Sequence, residues 1–206
     1  MRDFPTQLRP DVLPLSDEAL VAGLREGLPA ATAELFAQFG PDVYRLMRSI
    51  VGPSADLADQ VQDVFVDLLR GIRKLGEVKS LGAWITQVTV FAARSHLRSR
   101  RRLQWLRLVP PDELPETSVE GADFVGAEAL RATDRVLTRL GADERLAFVL
   151  RYVEGMQLSE VAEAIGVSLA TVKRRLFRAE RLFRKEALLE PSLVERLEVR
   201  GREENR

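Results

Sequence analysis

Apolar residues recur through this chain at intervals of three and four. Val61, Val64, Phe65, Leu68 and Leu69 stand at i, i+3, i+4, i+7 and i+8, one stripe on a helix of 3.6 residues per turn, and the opposite face is left to Asp59, Gln62, Asp63 and Asp67. No segment sustains the period-two alternation of a half-buried strand between hairpin turns, so the expected fold is all-α.

Capping residues and helix breakers divide the pattern. Ser16 predicts a first helix over about 17–26. Pro29 opens a second that carries Leu35, Phe36, Phe39, Val43, Leu46, Met47 and Ile50 as far as Gly52-Pro53, and Ser54 starts the third. After a loop over 71–80, Ser80 caps a fourth helix through Trp84, Ile85, Val88, Phe91, Ala92 and Leu97, in which Trp84 reads as core. Further helices are predicted over 127–140, 144–153, 160–165 and 169–189. The domain reading is a first helical unit over 15–107, a linker over 108–125, a second unit over 126–190 and a tail over 191–206.

A net charge of zero conceals an uneven distribution. Residues 1–67 hold five Arg and Lys against eleven Asp and Glu. Residues 94–107 hold six Arg and no acid, and residues 168–185 hold seven basic residues against Glu180 alone. Asp112, Glu113, Glu116, Glu120, Asp123 and Glu128 lie between the two basic patches, in a stretch broken by Pro110, Pro111, Pro115 and Gly121 that reads as a flexible, solvated acidic linker. Two basic patches joined by an acidic tether predict a polyanion touched at two places.

Composition excludes other chemistries. With no Cys there is no disulfide framework, thiolate metal site or cysteine nucleophile, and the single His leaves little for His-based catalysis or multi-His metal binding. Neither a metal nor a cofactor is expected. No apolar run approaches the ~18 residues of a spanning helix, and Met1-Arg2-Asp3-Phe4-Pro5 lacks the basic head and apolar stretch of a secretion signal, so a cytoplasmic location without membrane insertion is expected.

The segment from Ser159 to Leu176 has the order of a helix-turn-helix: a short helix, a tight turn at Gly166 and a second helix under Ser168. Ala162 is small where the helices would cross, and Val161, Ile165, Val167 and Val172 supply a small shared core. Set in a major groove, the second helix would present Leu169, Ala170, Thr171, Lys173, Arg174, Arg175 and Arg178, with Arg suited to guanine and Lys to phosphate.

Taken in order, these segments resemble the extracytoplasmic-function sigma factors, two-domain initiation subunits of bacterial RNA polymerase. The resemblance covers roughly residues 20–107 and 130–185. It rests on Asp56-Leu-Ala-Asp59-Gln-Val-Gln62-Asp63-Val-Phe65, on Trp84-Ile-Thr-Gln-Val followed by Leu97-Arg98-Ser-Arg-Arg-Arg102, and on Leu150 through Ala179. It implies that Asp59, Gln62 and Asp63 dock on the clamp coiled coil of core RNA polymerase. It implies that the 71–80 loop and the fourth helix, with Gln87, Phe91, Arg94, Arg98 and Arg101, hold melted minus-10 DNA, for which Arg94, Arg98, Arg100, Arg101 and Arg102 would line the cationic groove. Ala170, Thr171, Lys173, Arg174, Arg175 and Arg178 would read the minus-35 element of promoter DNA. An anti-sigma factor is a further partner that the resemblance allows.

The sequence also departs from the family's pattern. Phe91 and Ser95 stand where many relatives have Asn and Asp, which leaves the minus-10 preference open, and Arg174 and Phe177 stand where many have small polar residues, at positions able to alter the minus-35 preference. His96 reads as a partly exposed bystander that could contact phosphate. The implied function is a promoter-specificity factor with no active site of its own. The alternative is a stand-alone helix-turn-helix transcriptional regulator, which has no need of the Asp59, Gln62, Asp63 face. A nucleic-acid enzyme comes last for want of converging carboxylates or His.

Overall fold

The computed structural model describes residues 16–75, 80–105 and 124–194. Every regular element among them is helical: α1 (Asp17–Glu26), α2 (Pro29–Val51), α3 (Leu57–Gly71), a 3₁₀ turn (Ile72–Lys74), α4 (Leu81–Trp105), α5 (Phe124–Arg139), α6 (Ala142–Phe148) running into a π-helical turn (Val149–Val153), α7 (Leu158–Ile165) and α8 (Leu169–Ala187). Most of the linker over 108–125, residues 195–206 of the tail over 191–206 and part of the 71–80 loop lie outside the described residues.

The helix ends follow from local chemistry. The Ser16 hydroxyl accepts the Ala19 amide at 3.3 Å, and Gly27 closes α1 at φ 74°. Pro29, with no amide hydrogen to satisfy, occupies the first turn of α2. Ser80 accepts the Ala83 amide at 3.3 Å at the start of α4, and the Asp17 carboxylate takes the Leu81 amide at 3.1 Å, which pins α4 to α1.

Several helix boundaries differ from the sequence reading by one to three residues, and three differences have a visible local origin. The third helix begins at Leu57 rather than Ser54, because Ser54 spends its hydroxyl on the Asp56 amide inside a turn. The 71–80 loop is shorter than expected, since α3 continues to Gly71 and the chain winds on through the 3₁₀ turn. The helix expected over 144–153 starts at Ala142 and widens at Val149, where the Glu154 amide bonds back to the Val149 carbonyl at 3.0 Å.

The stripe on α3 is buried as its spacing requires: Val61, Val64, Phe65 and Leu68 pack against Leu35, Met47 and Ile50 of α2 and Leu81 and Ile85 of α4. Phe36 of α2 stacks on Phe65, with ring centroids 3.9 Å apart. In the second unit Leu146, Val149 and Leu150 pack beneath α7 and α8, and Phe148 stacks on Phe183 at 4.7 Å. The buried residues of both units form one continuous apolar cluster, with α4 packed against α6 and α7. Apart from the linker between them, the two units are therefore packed face to face.

Candidate nucleic-acid interface

The helix-turn-helix is built as its residues dictate. Gln157 and Glu160 form a capping box at the start of α7, in which the Gln157 amide donates to Glu160 Oε2 at 2.6 Å. Gly166 adopts φ 67°, and the Val167 amide reaches back to the Ala162 carbonyl at 3.0 Å, the left-handed close of a Schellman motif. The Ser168 hydroxyl then accepts the Thr171 amide at 3.3 Å and starts α8. Val161, Ile165 and Val172 are buried between the helices and Val167 is half-buried, which fixes the rotation of α8.

That rotation divides the expected minus-35 residues. Ala170, Lys173, Arg174 and Arg178 are exposed, and Thr171 is half-buried, its hydroxyl 3.0 Å from Ser168 Oγ. Arg175 is different. Only 14% of its side chain is exposed, and Nη2 lies 3.2 Å from Asp143 Oδ2 on α6.

Helix α4 presents its residues on the side that faces the second unit. Phe91 is 71% exposed. Gln87 is half-buried and lies with Trp84 and Phe91 in an open cleft of about 700 Å³, closed on the far side by Glu163 to Gly166 at the end of α7 and its turn. Trp84 is half-buried, packed so closely on Gly71 that a Cβ there would lie 3.0 Å from the indole. Arg70 and Lys74 also line this cleft; Lys74 belongs to the loop singled out in the sequence, whereas Arg70, just before it, was not expected there.

Arg94 donates from Nε to Asp143 Oδ1 at 2.7 Å, and Arg98 Nη2 lies 3.2 Å from Asp143 Oδ2. The backbone of Arg101 belongs to α4, while its side chain is outside the described residues. His96 is not a bystander: it is half-buried, with Nε2 3.3 Å from Gln60 Nε2 on α3.

Three arginines assigned to DNA on two different helices thus share one carboxylate. Burial pushes the Asp143 carboxyl upward, but the Arg94 hydrogen bond and the charges of Arg175, Arg94 and Arg98 outweigh it and hold the group below the usual carboxylate range. Nothing in the sequence marks Asp143 for this role. With Glu144 it reads only as the acidic first turn favoured by a helix dipole.

The acidic face of α3 points elsewhere. Asp59, Gln62 and Asp63 are exposed and make no hydrogen bond or ion pair with the described residues. Among the described residues no three His, Asp or Glu converge as metal ligands, and no helix is long and apolar enough to cross a membrane.

A bundle with a free acidic face, joined to a helix-turn-helix with a basic reading helix, defines a two-unit nucleic-acid-binding protein. Residues 35–103 match the family described as Sigma-70 region 2, and residues 130–182 match Sigma-70, region 4. The ECF RNA polymerase sigma-E factor of Haemophilus influenzae is 24% identical over 183 residues, 82% of this chain and 93% of the relative. That of Escherichia coli K12 is 24% identical over 181 residues, 80% and 91% of the two chains.

Two solved structures share the fold. CnrH in complex with the cytosolic domain of CnrY has a TM-score of 0.55 at 24% identity, over 84% of this chain and 96% of that one. The sigma factor RpoE in complex with the anti-sigma factor NepR from Bartonella quintana has a TM-score of 0.59 at 20% identity, over 75% and 94%. The chain belongs to the sigma-70 family, in the two-region form of the extracytoplasmic-function sigma factors. It is a transcription initiation factor that directs core RNA polymerase to promoters.

Proposed function

We propose that the division of labour follows the two units, 15–107 for polymerase binding and the minus-10 element and 126–190 for the minus-35 element, joined by a linker over 108–125. Asp59, Gln62 and Asp63 meet a basic surface of the polymerase; three exposed polar groups without internal partners lose nothing within the chain on binding. Gln87, Phe91, Arg94, Arg98 and Arg101 hold the melted minus-10 strand, where an exposed aromatic beside cationic side chains is suited to a splayed base and its backbone. Ala170, Thr171, Lys173, Arg174, Arg175 and Arg178 address the minus-35 duplex.

The observation that carries the reading is the exposed basic start of α8, presented by a capped and glycine-turned helix in the same chain as the free acidic face of α3. A stand-alone regulator has no use for that second surface. Bond-making belongs to the polymerase, and this chain contributes recruitment, recognition and strand stabilisation with no cofactor. Such a factor works in the cytoplasm. An anti-sigma factor that covers the faces of α4 and α8 is its natural inhibitor, a partner class represented by NepR in its complex with RpoE.

The test is reconstituted transcription with bacterial core polymerase on a pool of random promoter fragments, with and without the protein. Protein-dependent transcripts that share a minus-35 and minus-10 pair are expected. A protein that shifts duplex DNA but neither binds core nor starts transcripts would return the reading to a stand-alone regulator.

A further inference from the structure

Helix α1 lies outside both matched spans, and its two ends are tied to the chain on either side of the minus-10 cleft. The Asp17 carboxylate at its start accepts the Leu81 amide at 3.1 Å, where the chain enters α4. The Arg25 guanidinium in its last turn donates to the Leu75 carbonyl, where the chain leaves the 3₁₀ turn. Both ties end on backbone groups, so they fix the course of the main chain itself. Leu20 and Leu24 bury the helix in the core, and Gly23 seats it so close to α2 that a Cβ there would lie 2.8 Å from Ala31 Cβ. The helix is thus a short rigid rod, with its two polar anchors about 12 Å apart along the axis.

The two anchored points stand at the foot of two walls of the cleft. Arg70 and Lys74 lead up to Leu75 on one side, and Trp84, Gln87 and Phe91 follow from Leu81 on the other. We propose that Asp17 and Arg25 are positioning residues for minus-10 recognition, and that α1 is a spacer holding the cationic wall at a fixed distance from the aromatic one. The proposal rests on the minus-10 role assigned above to α4. A strand that lays a base on one wall and its backbone along the other is captured only when that spacing is right. If cutting a tie leaves the walls correctly spaced about a tenth of the time, apparent affinity for the strand falls about tenfold. The loss is confined to the melted strand, because polymerase docking uses α3 and duplex reading uses α8.

The test uses the full chain on core polymerase and a single-stranded oligonucleotide carrying the minus-10 sequence that the protein-dependent transcripts share. Asp17 and Arg25 are both exposed, so neither substitution opens a cavity. Asp17→Ala and Arg25→Ala should each weaken capture of the oligonucleotide about tenfold, equivalent to about 1.4 kcal/mol. Core binding and binding of minus-35 duplex should not change. Asp17→Asn keeps an oxygen for the Leu81 amide and should restore capture. Glu18→Ala removes a neighbouring first-turn charge and should leave capture intact. Trp84 gives a reading free of DNA: with Trp105→Phe it is the one tryptophan left in the chain, and its emission should move to the red in both alanine variants as the wall loosens and admits water.

Capture and Trp84 emission unmoved by Asp17→Ala and Arg25→Ala overturn the spacer, as does a loss that Asp17→Asn fails to restore. An equal loss of core and duplex binding also overturns it, since that marks a general loosening of the fold. Gln87→Ala with Phe91→Ala tests the minus-10 reading separately. If that pair loses the strand while Asp17→Ala and Arg25→Ala keep it, the spacer fails and the reading stands; if the pair keeps the strand, the reading fails and the spacer with it.

Discussion

Arg145 Nη2 lies 3.1 Å from Asp134 Oδ1, and only 3% of the arginine side chain is exposed. Burial pushes the Asp134 carboxyl up against the pull of Arg145, and burial likewise pushes the Arg145 guanidinium down. Arg145 Nε and Asp134 Oδ2 are left without hydrogen-bond partners. The pair therefore does little to stabilise the fold, yet neither half can be removed alone. Asp134→Ala should cost about 3 to 5 kcal/mol in urea unfolding, while Asp134→Leu with Arg145→Met should cost far less than the two single changes summed.

Gly52 closes α2 at φ 87°, and a Cβ there would lie 2.7 Å from Asp134 Oδ1. Gly155 has φ 71° with nothing within 4 Å of its notional Cβ. Gly155→Ala should cost only the left-handed backbone penalty of about 1 to 2 kcal/mol. Gly52, at φ 87° and ψ 179°, lies in a region open essentially to glycine alone, so Gly52→Ala carries a larger backbone penalty together with a clash across the interface and should cost clearly more than Gly155→Ala in urea unfolding.

The acid limb of stability has contributions of opposite sign. Glu190 is held below the ordinary glutamate range by its hydrogen bonds from Arg135, at 2.8 Å from Nη2 and 3.2 Å from Nε, and Asp143 is also lowered. A carboxylate lowered on folding contributes stability that is full above its unfolded value, ~4.3 for Glu, and is lost as pH falls through the folded value. Asp134, raised on folding, works the other way and favours the folded state more as it protonates. Thermal unfolding between about pH 6 and pH 3 should show a flatter acid limb for Glu190→Gln than for the wild type.

Asp63→Arg places a cation on the exposed face of α3, where Asp63 has no internal partner. Core polymerase binding should be abolished in a pull-down, with the helical circular dichroism and the melting temperature unchanged. Retained binding would remove α3 from the polymerase interface.

What the sequence made legible is local. Ser16, Pro29, Ser80, Gly166 and Ser168 act through bonds or dihedral angles spanning a few residues, and each stands where its chemistry places it. The stripe of α3 was readable because burial repeats with the helix period. Ser54 misled because a hydroxyl that can cap a helix can equally close a turn. Asp143 was invisible because its three partners lie 49, 45 and 32 residues away, and no periodicity encodes a contact between units. His96 and Gln60 found each other for the same reason, 36 residues apart.

The wide turn over Val149–Val153 has a further effect. It inserts a slower winding between α6 and α7, so the azimuth at which α7, and through it α8, leaves the bundle is set by a segment assigned no contact with DNA. Removing one residue there would restore ordinary winding and swing the reading helix about its own mount with every base-facing side chain intact. Promoter choice in such a protein can consequently drift through chain length as readily as through residue identity.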